Sequence, residues 1–207
     1  MKIVHVGLGA KGRRWFEAVA RFSGAQSVGA VDSEPAARIW INEQSPRLPF
    51  FERLDDALRD VRADLALVAG EPATQVEAAS QALRAGLGVI VVPPAATEVS
   101  GVRNLLMLAE ETSRPVFSAS SGKLRSVYAQ LGGLVRKGWI GSVAHASMIS
   151  RSTYPADDRL AQLEYSQLFA KGAEELEAIG MILGGKPQSV ISRSETPAWG
   201  GYRNGST

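Results

Sequence analysis

The sequence predicts an α/β fold: a doubly wound parallel sheet with helices on both faces, followed by a truncated α+β second domain. Three observations predict it. Short apolar runs alternate with amphipathic, helix-period segments over residues 1–121. A complete glycine pattern, Gly7-Leu8-Gly9-Ala10-Lys11-Gly12, stands where the first strand gives way to the first helix. Beyond about residue 122 the alternation stops, and the remaining 122–207 read as a smaller unit of different character.

Lys2–Gly7 is the first strand, and Ala10–Phe22 a helix with Trp15, Val19 and Phe22 on one side. Ser27–Asp32 is the second strand. Pro35–Asn42 is a helix opened by proline, whose missing N–H costs nothing in a first turn. Leu54–Asp60 is a short helix leading into the strand Asp64–Ala69. Thr74–Ala85 is amphipathic and stops at Gly86, a C-terminal cap. Val89–Val92 is a buried strand. Thr97 caps the following helix, whose inner stripe is Val102, Leu105, Leu106 and Ala109, and Pro115–Ala119 is a further strand.

In the second unit Leu124–Lys137 is helical, though weakened by Gly132-Gly133, and Gly138-Trp139-Ile140-Gly141 is a turn. Ser142–Ser150 alternates like a half-exposed strand, Arg151–Gln167 is polar without period, and Glu174–Leu183 is helical. Ser189–Ser194 is a candidate last strand, and the tail from Thr196 is expected to be loose.

Charge and composition narrow the functions. Lys+Arg 23 against Asp+Glu 21 gives a net charge of +2. The cations are scattered along the chain, in no run longer than two, which argues against a nucleic-acid partner. Cysteine is absent, which removes thiolate nucleophiles and thiolate metal sites. The histidines are His5, in the first strand, and His145, far along the chain, without metal-ligand spacing, so no metal is expected. No apolar run approaches a membrane span, and the N-terminus lacks the apolar core of a signal peptide. The expected location is the cytoplasm.

The glycine pattern carries the chemistry. Between a strand and a helix, Gly7 permits the tight turn, Gly9 lets the backbone approach a pyrophosphate, and Gly12 lets helix and strand pack closely. The phosphates then rest on the free N–H groups at the helix N-terminus. Asp32 lies about 20 residues further on, at the end of the second strand, where a carboxylate accepts the hydroxyls of an adenosine ribose. A 2′-phosphate would be repelled there. This is a Rossmann-type dinucleotide site, with NAD expected over NADP. The bland alternative is a packing turn with Asp32 as a helix cap. Arg13, Arg14 and Arg38 stand near enough to help with phosphate or to be solvated helix residues.

From here the chain resembles the Gfo/Idh/MocA oxidoreductases, relatives of glucose–fructose oxidoreductase and inositol dehydrogenase. The matching stretches are Gly7–Gly12, Leu54-Asp55-Asp56-Ala57-Leu58 with Asp64–Val68, Ala82–Gly86 before Val89–Val92, and Gly138–Val143. The resemblance implies a first domain holding a nicotinamide cofactor, with Leu8, Ala10, Lys11, Gly70, Glu71, Pro72 and Pro93 joining the glycines and Asp32 around it. It also implies a second domain that binds a sugar or polyol and builds a dimer contact. Three departures matter. The family's Glu-Lys-Pro, whose lysine serves the nicotinamide end, is here Val92-Pro93-Pro94, with no lysine between Lys11 and Lys123. The histidine of its Asp-x-Gly-x-His-x-x-Asp motif falls on Glu174, and the leading aspartate on Ala170. Its Thr-Pro stretch has become Glu71-Pro72.

Proline has no group to take a hydroxyl proton or hold a developing alkoxide. The first expectation is therefore a cofactor-binding, non-catalytic or partner subunit. The alternatives are a divergent dehydrogenase using Glu174, His145 or Lys123, and a protein whose cofactor site is vestigial. A sheet piece of two strands leaves open edges, so a homo-oligomer, or a heteromer with a full-length relative, is expected through residues beyond about 140.

Overall fold

The computed structural model of the 207-residue chain describes residues 1–119, 126–149, 172–184 and 187–193. It divides into two compact units, Met1–Ala119 and Ser120–Thr207. The first contains β1 (Lys2–Val6), α1 (Ala10–Ala20), β2 (Gln26–Val31), α2 (Pro35–Gln44), β3 (Phe50–Phe51), α3 (Leu54–Asp60) and β4 (Leu65–Val68). It continues with α4 (Pro72–Arg84), β5 (Gly88–Val91), α5 (Val99–Thr112) and β6 (Val116–Ser118).

All pairings are parallel, in the order β3-β2-β1-β4-β5-β6. The chain builds outward from β1 to β3, then returns to β4 and builds the other way. The reversal leaves a crevice outside the carboxyl ends of β1 and β4, the place where open sheets of this kind take ligands. Helices cover both faces, so the central strands are apolar on both. Every residue of β4 is buried, and only Lys2 of β1 is exposed. The period of two divides them. Val4, Val6, Ala66, Val68, Val89 and Val91 pack with Ala79, Leu83 and Leu105 of α4 and α5. Ile3, Leu65 and Leu67 point the other way, onto Val19 and Trp15 of α1.

Several elements differ from the sequence reading. β3 went unrecognised because two residues are too few to show a period. α1 stops at Ala20, and Phe22 beyond it is exposed. α4 begins at Pro72, a favoured first-turn residue, with Glu71 as its N-cap. Glu98 rather than Thr97 precedes α5, and of the expected stripe only Leu105 is buried; Val102 and Leu106 are exposed.

The second unit has α6 (Ser126–Arg136) and α7 (Ala173–Leu183), which pack together. Gly132 does not break α6. A Cβ there would come 3.3 Å from Met181 O of α7, so the glycine lets the two backbones approach. The strands expected at Ser142–Ser150 and Ser189–Ser194 are not formed in the described residues 142–149 and 187–193. A strand requires a ladder partner, and alternation alone supplies none. The open strand edges on which an oligomer was expected are thus absent from the described residues. Arg151–Gln167, Lys123, Ala170 and the tail from Thr196 lie outside them.

Candidate functional site: the crevice at the carboxyl ends of β1 and β4

The turn after β1 is built for glycine at two of its three positions. Gly7 has φ +87°, and its N–H donates to Val31 O at 2.8 Å. A Cβ there would lie 2.5 Å from Gly70 N. At Gly12 a Cβ would collide with the Gly7 carbonyl, 2.9 Å from its carbon. Gly9 is different. Its φ of −65° suits any residue, and a Cβ would meet nothing within 4 Å. Gly9 is the N-cap of α1, where no side chain caps the leading N–H groups. An uncapped helix start opening onto free space is a cradle for an anion.

Asp32 is tied to this turn. Its Oδ2 accepts the Leu8 N–H at 2.6 Å and its Oδ1 the Glu34 N–H at 2.8 Å. Both are charge-assisted bonds, among the stronger kind. Leu8 anchors the turn from beneath, its side chain 1% exposed beside Phe16 and Ile41. Arg13 Nε donates to Leu8 O at 2.8 Å, and its guanidinium lies 5.0 Å from the Trp40 ring centroid. Arg38 stacks over Phe50 at 5.1 Å. The carboxylate therefore sits at the mouth of β2, braced against the glycine turn.

On the other side of the crevice stand Gly70, Glu71 and Pro72, between β4 and α4, and the Val92-Pro93-Pro94 loop after β5. Gly70 is open, since a Cβ would come no nearer than 3.7 Å to Thr74 Oγ1. Pro93 and Pro94 are buried and joined by a cis peptide bond. Their carbonyls take donors from both helices: Lys11 Nζ reaches Pro93 O at 2.7 Å, and Gln75 Nε2 reaches Pro94 O at 2.6 Å. Gln75 is 2% exposed, and its Oε1 is buried without a hydrogen bond. The sequence reading missed Gln75 altogether, and it missed that Lys11 crosses to Pro93. Neither link has a local signal, because 82 residues separate Lys11 from Pro93.

Of the chemical candidates in the second unit, Lys123 lies outside the described residues. Glu174 lies in the first turn of α7, its side chain outside the described residues, and His145 is exposed in a stretch without regular structure. Among the described residues no three His, Asp or Glu side chains cluster as metal ligands, and no helix is long and apolar enough to cross a membrane.

His5 is a core residue. It is 1% exposed, its Nε2 lies 2.9 Å from Ser27 Oγ, and its ring meets Phe16 edge-on at 4.9 Å. Burial lowers its pKa from 6.5 to about 4. The folded chain thus holds His5 neutral where the unfolded chain protonates it. Stability is unaffected above pH 6.5 and falls as pH drops toward 4. Between pH 7.5 and 5.0 the loss from this group is about 2 kcal/mol. Urea melts of the wild type and His5→Leu at the two pH values check it; the variant should lose most of that dependence.

Relatives share this architecture. A dehydrogenase from Thermotoga maritima, solved as a probable one, superposes with a TM-score of 0.82 at 16% identity, over 90% of this chain and 56% of its own. An NAD-binding protein from Listeria innocua gives 0.76 at 17%, over 86% and 53%. Scyllo-inositol dehydrogenase from Lactobacillus casei, solved with NAD(H) and scyllo-inositol bound, gives 0.71 at 17%, over 89% and 56%. At such identities the likeness is one of fold, and this chain spans about half the length of each. No curated protein matches the sequence. The family model for the oxidoreductase family with an NAD-binding Rossmann fold, Gfo/Idh/MocA, matches residues 1–120. With its strand order, its glycine turn and that match over more than half its length, the chain belongs to the Gfo/Idh/MocA oxidoreductase family.

Proposed function

We propose that this chain binds NAD(H) in the crevice beside β1 and β4, in preference to NADP(H), and does not oxidise sugars or polyols. The observation that carries the binding is Gly9. The fold gives no steric or conformational reason for glycine there, whereas a pyrophosphate approaching the α1 N-terminus does. Gly7 and Gly12 would shape the turn, with Leu8, Ala10 and Lys11 around it. Asp32 would receive the adenosine ribose, and Gly70, Glu71, Pro72 and Pro93 would line the far half. The cofactor, when bound, supplies a hydride donor or acceptor.

What the chain's own residues would have to add is a group that takes the hydroxyl proton and one that holds the developing alkoxide. Pro93 and Glu174 stand where the resemblance requires lysine and histidine, and proline has no proton to exchange. Loss of a positioned acid–base group alone costs about 10²–10⁴-fold. With NAD⁺ and scyllo-inositol, myo-inositol or glucose, NADH formation at 340 nm should stay at the blank level. Turnover approaching about 1 s⁻¹, the lower end of ordinary enzymes, overturns the non-catalytic reading while leaving the binding site standing.

A further inference from the structure

Lys11 brings an ammonium to a part of the crevice that its place in the sequence does not suggest. It leaves the first turn of α1, yet its Nζ is bonded to Pro93 O, at the carboxyl end of β5. That loop offers firm anchorage. Both prolines are buried, and the neighbouring carbonyl of Pro94 is held by Gln75 from α4. The charge is therefore fixed at one point beside the buried loop rather than ranging through solvent on a flexible stem, and partial burial strengthens its field.

That point lies in the second half of the sheet. A dinucleotide in a sheet of this order spreads across the strand ends, adenosine over the β1–β2 half and nicotinamide over the β4–β5 half. Asp32 marks the first half, and Arg13 is engaged there with Leu8 O and Trp40. Lys11 reaches the second. The nicotinamide ring is positive in NAD⁺ and neutral in NADH, while the rest of the two molecules is the same. A fixed cation near the ring opposes the first and ignores the second.

We infer that Lys11 makes this crevice selective for the redox state of its cofactor, holding NADH in preference to NAD⁺. The inference rests on the dinucleotide-binding reading above. Two unit charges several ångströms apart at a partly buried site alter affinity on the order of tenfold after screening. A tenfold ratio raises the reduction potential of the bound couple by about 30 mV, so occupancy would follow the supply of reduced cofactor.

The test is the ratio of dissociation constants for NAD⁺ and NADH, by titration calorimetry, in the wild type, Lys11→Met and Lys11→Arg. Any contact of Lys11 with the pyrophosphate is common to both ligands and cancels in the ratio. The wild type should favour NADH by about tenfold. Lys11→Met should bring the ratio near one, and Lys11→Arg should keep it. Equal affinities in the wild type, or an unchanged ratio in Lys11→Met, overturn the inference and leave the binding reading intact. Failure of both ligands to bind overturns the two together.

Discussion

Gly12→Ala is expected to destabilise the first unit strongly, while Gly9→Ala leaves it folded and weakens its hold on a dinucleotide. The new methyl at position 12 collides with the Gly7 carbonyl, a backbone group that cannot rotate away. That carbonyl belongs to a turn already fixed by the Gly7 N–H on Val31 and by Asp32 on Leu8. Overpacking of this kind costs upward of about 3 kcal/mol, a large share of the roughly 5–15 kcal/mol that holds a domain together. At position 9 the methyl meets no protein atom within 4 Å, and the backbone already has an ordinary conformation. The stability cost there is the loss of a tolerated N-cap residue, at most about 1 kcal/mol. The methyl instead fills the space before the helix N-terminus, and NADH affinity should drop at least about tenfold, as for any steric intrusion worth about 1.4 kcal/mol. Thermal melts paired with NADH titrations separate the two variants. A Gly12→Ala protein melting within a few degrees of the wild type contradicts this account of the turn.

Asp32→Ala is expected to have the next largest effect, and Asp32→Asn divides it into two parts. Alanine removes both the charge and the acceptors for the Leu8 and Glu34 N–H groups. Leaving those donors unpaired costs about 1–3 kcal/mol, and the glycine turn loses its brace. Asparagine keeps one side-chain oxygen for Leu8, and removes the charge and the acceptor of the exposed Glu34 N–H, which can turn to water. A 2′-phosphate beside a carboxylate meets like charge, worth several kcal/mol of discrimination. Both variants should therefore narrow or reverse the preference for NADH over NADPH, by about a hundredfold in the ratio. Alanine, which frees the Leu8 donor as well, should lower the melting temperature more than asparagine. An unchanged ratio in both variants contradicts the role assigned to Asp32.

The parts legible in the sequence are those whose causes are local. Gly7, Gly9 and Gly12 declare a turn by spacing, and β4 declares itself as an apolar run because both its faces are covered. Asp32 was legible through its distance from Gly12. Causes that act across the chain were not legible. β3 is too short for a pattern and exists through its pairing of Ala30 and Val31 with Phe50 and Phe51. Val102 and Leu106 look like a buried stripe, yet α5 turns mainly Leu105, with Leu108 and Ala109, onto the core. Ser142–Ser150 alternates as a strand should, and its described residues have no ladder. The bonds of Lys11 and Gln75 to consecutive proline carbonyls join three crossovers of the sheet. No window of sequence contains them.

The most direct measurement is a calorimetric titration of the unaltered protein with NADH and, in parallel, with NADPH. The crevice described here, with Gly9 open before the α1 N-terminus and Asp32 braced at the mouth of β2, predicts saturable binding of NADH at one site per chain. NADPH should bind at least about tenfold more weakly, because its 2′-phosphate meets the Asp32 carboxylate. Equal and millimolar-weak binding of the two, or no binding of either, contradicts the assignment of this crevice as an NAD(H) site.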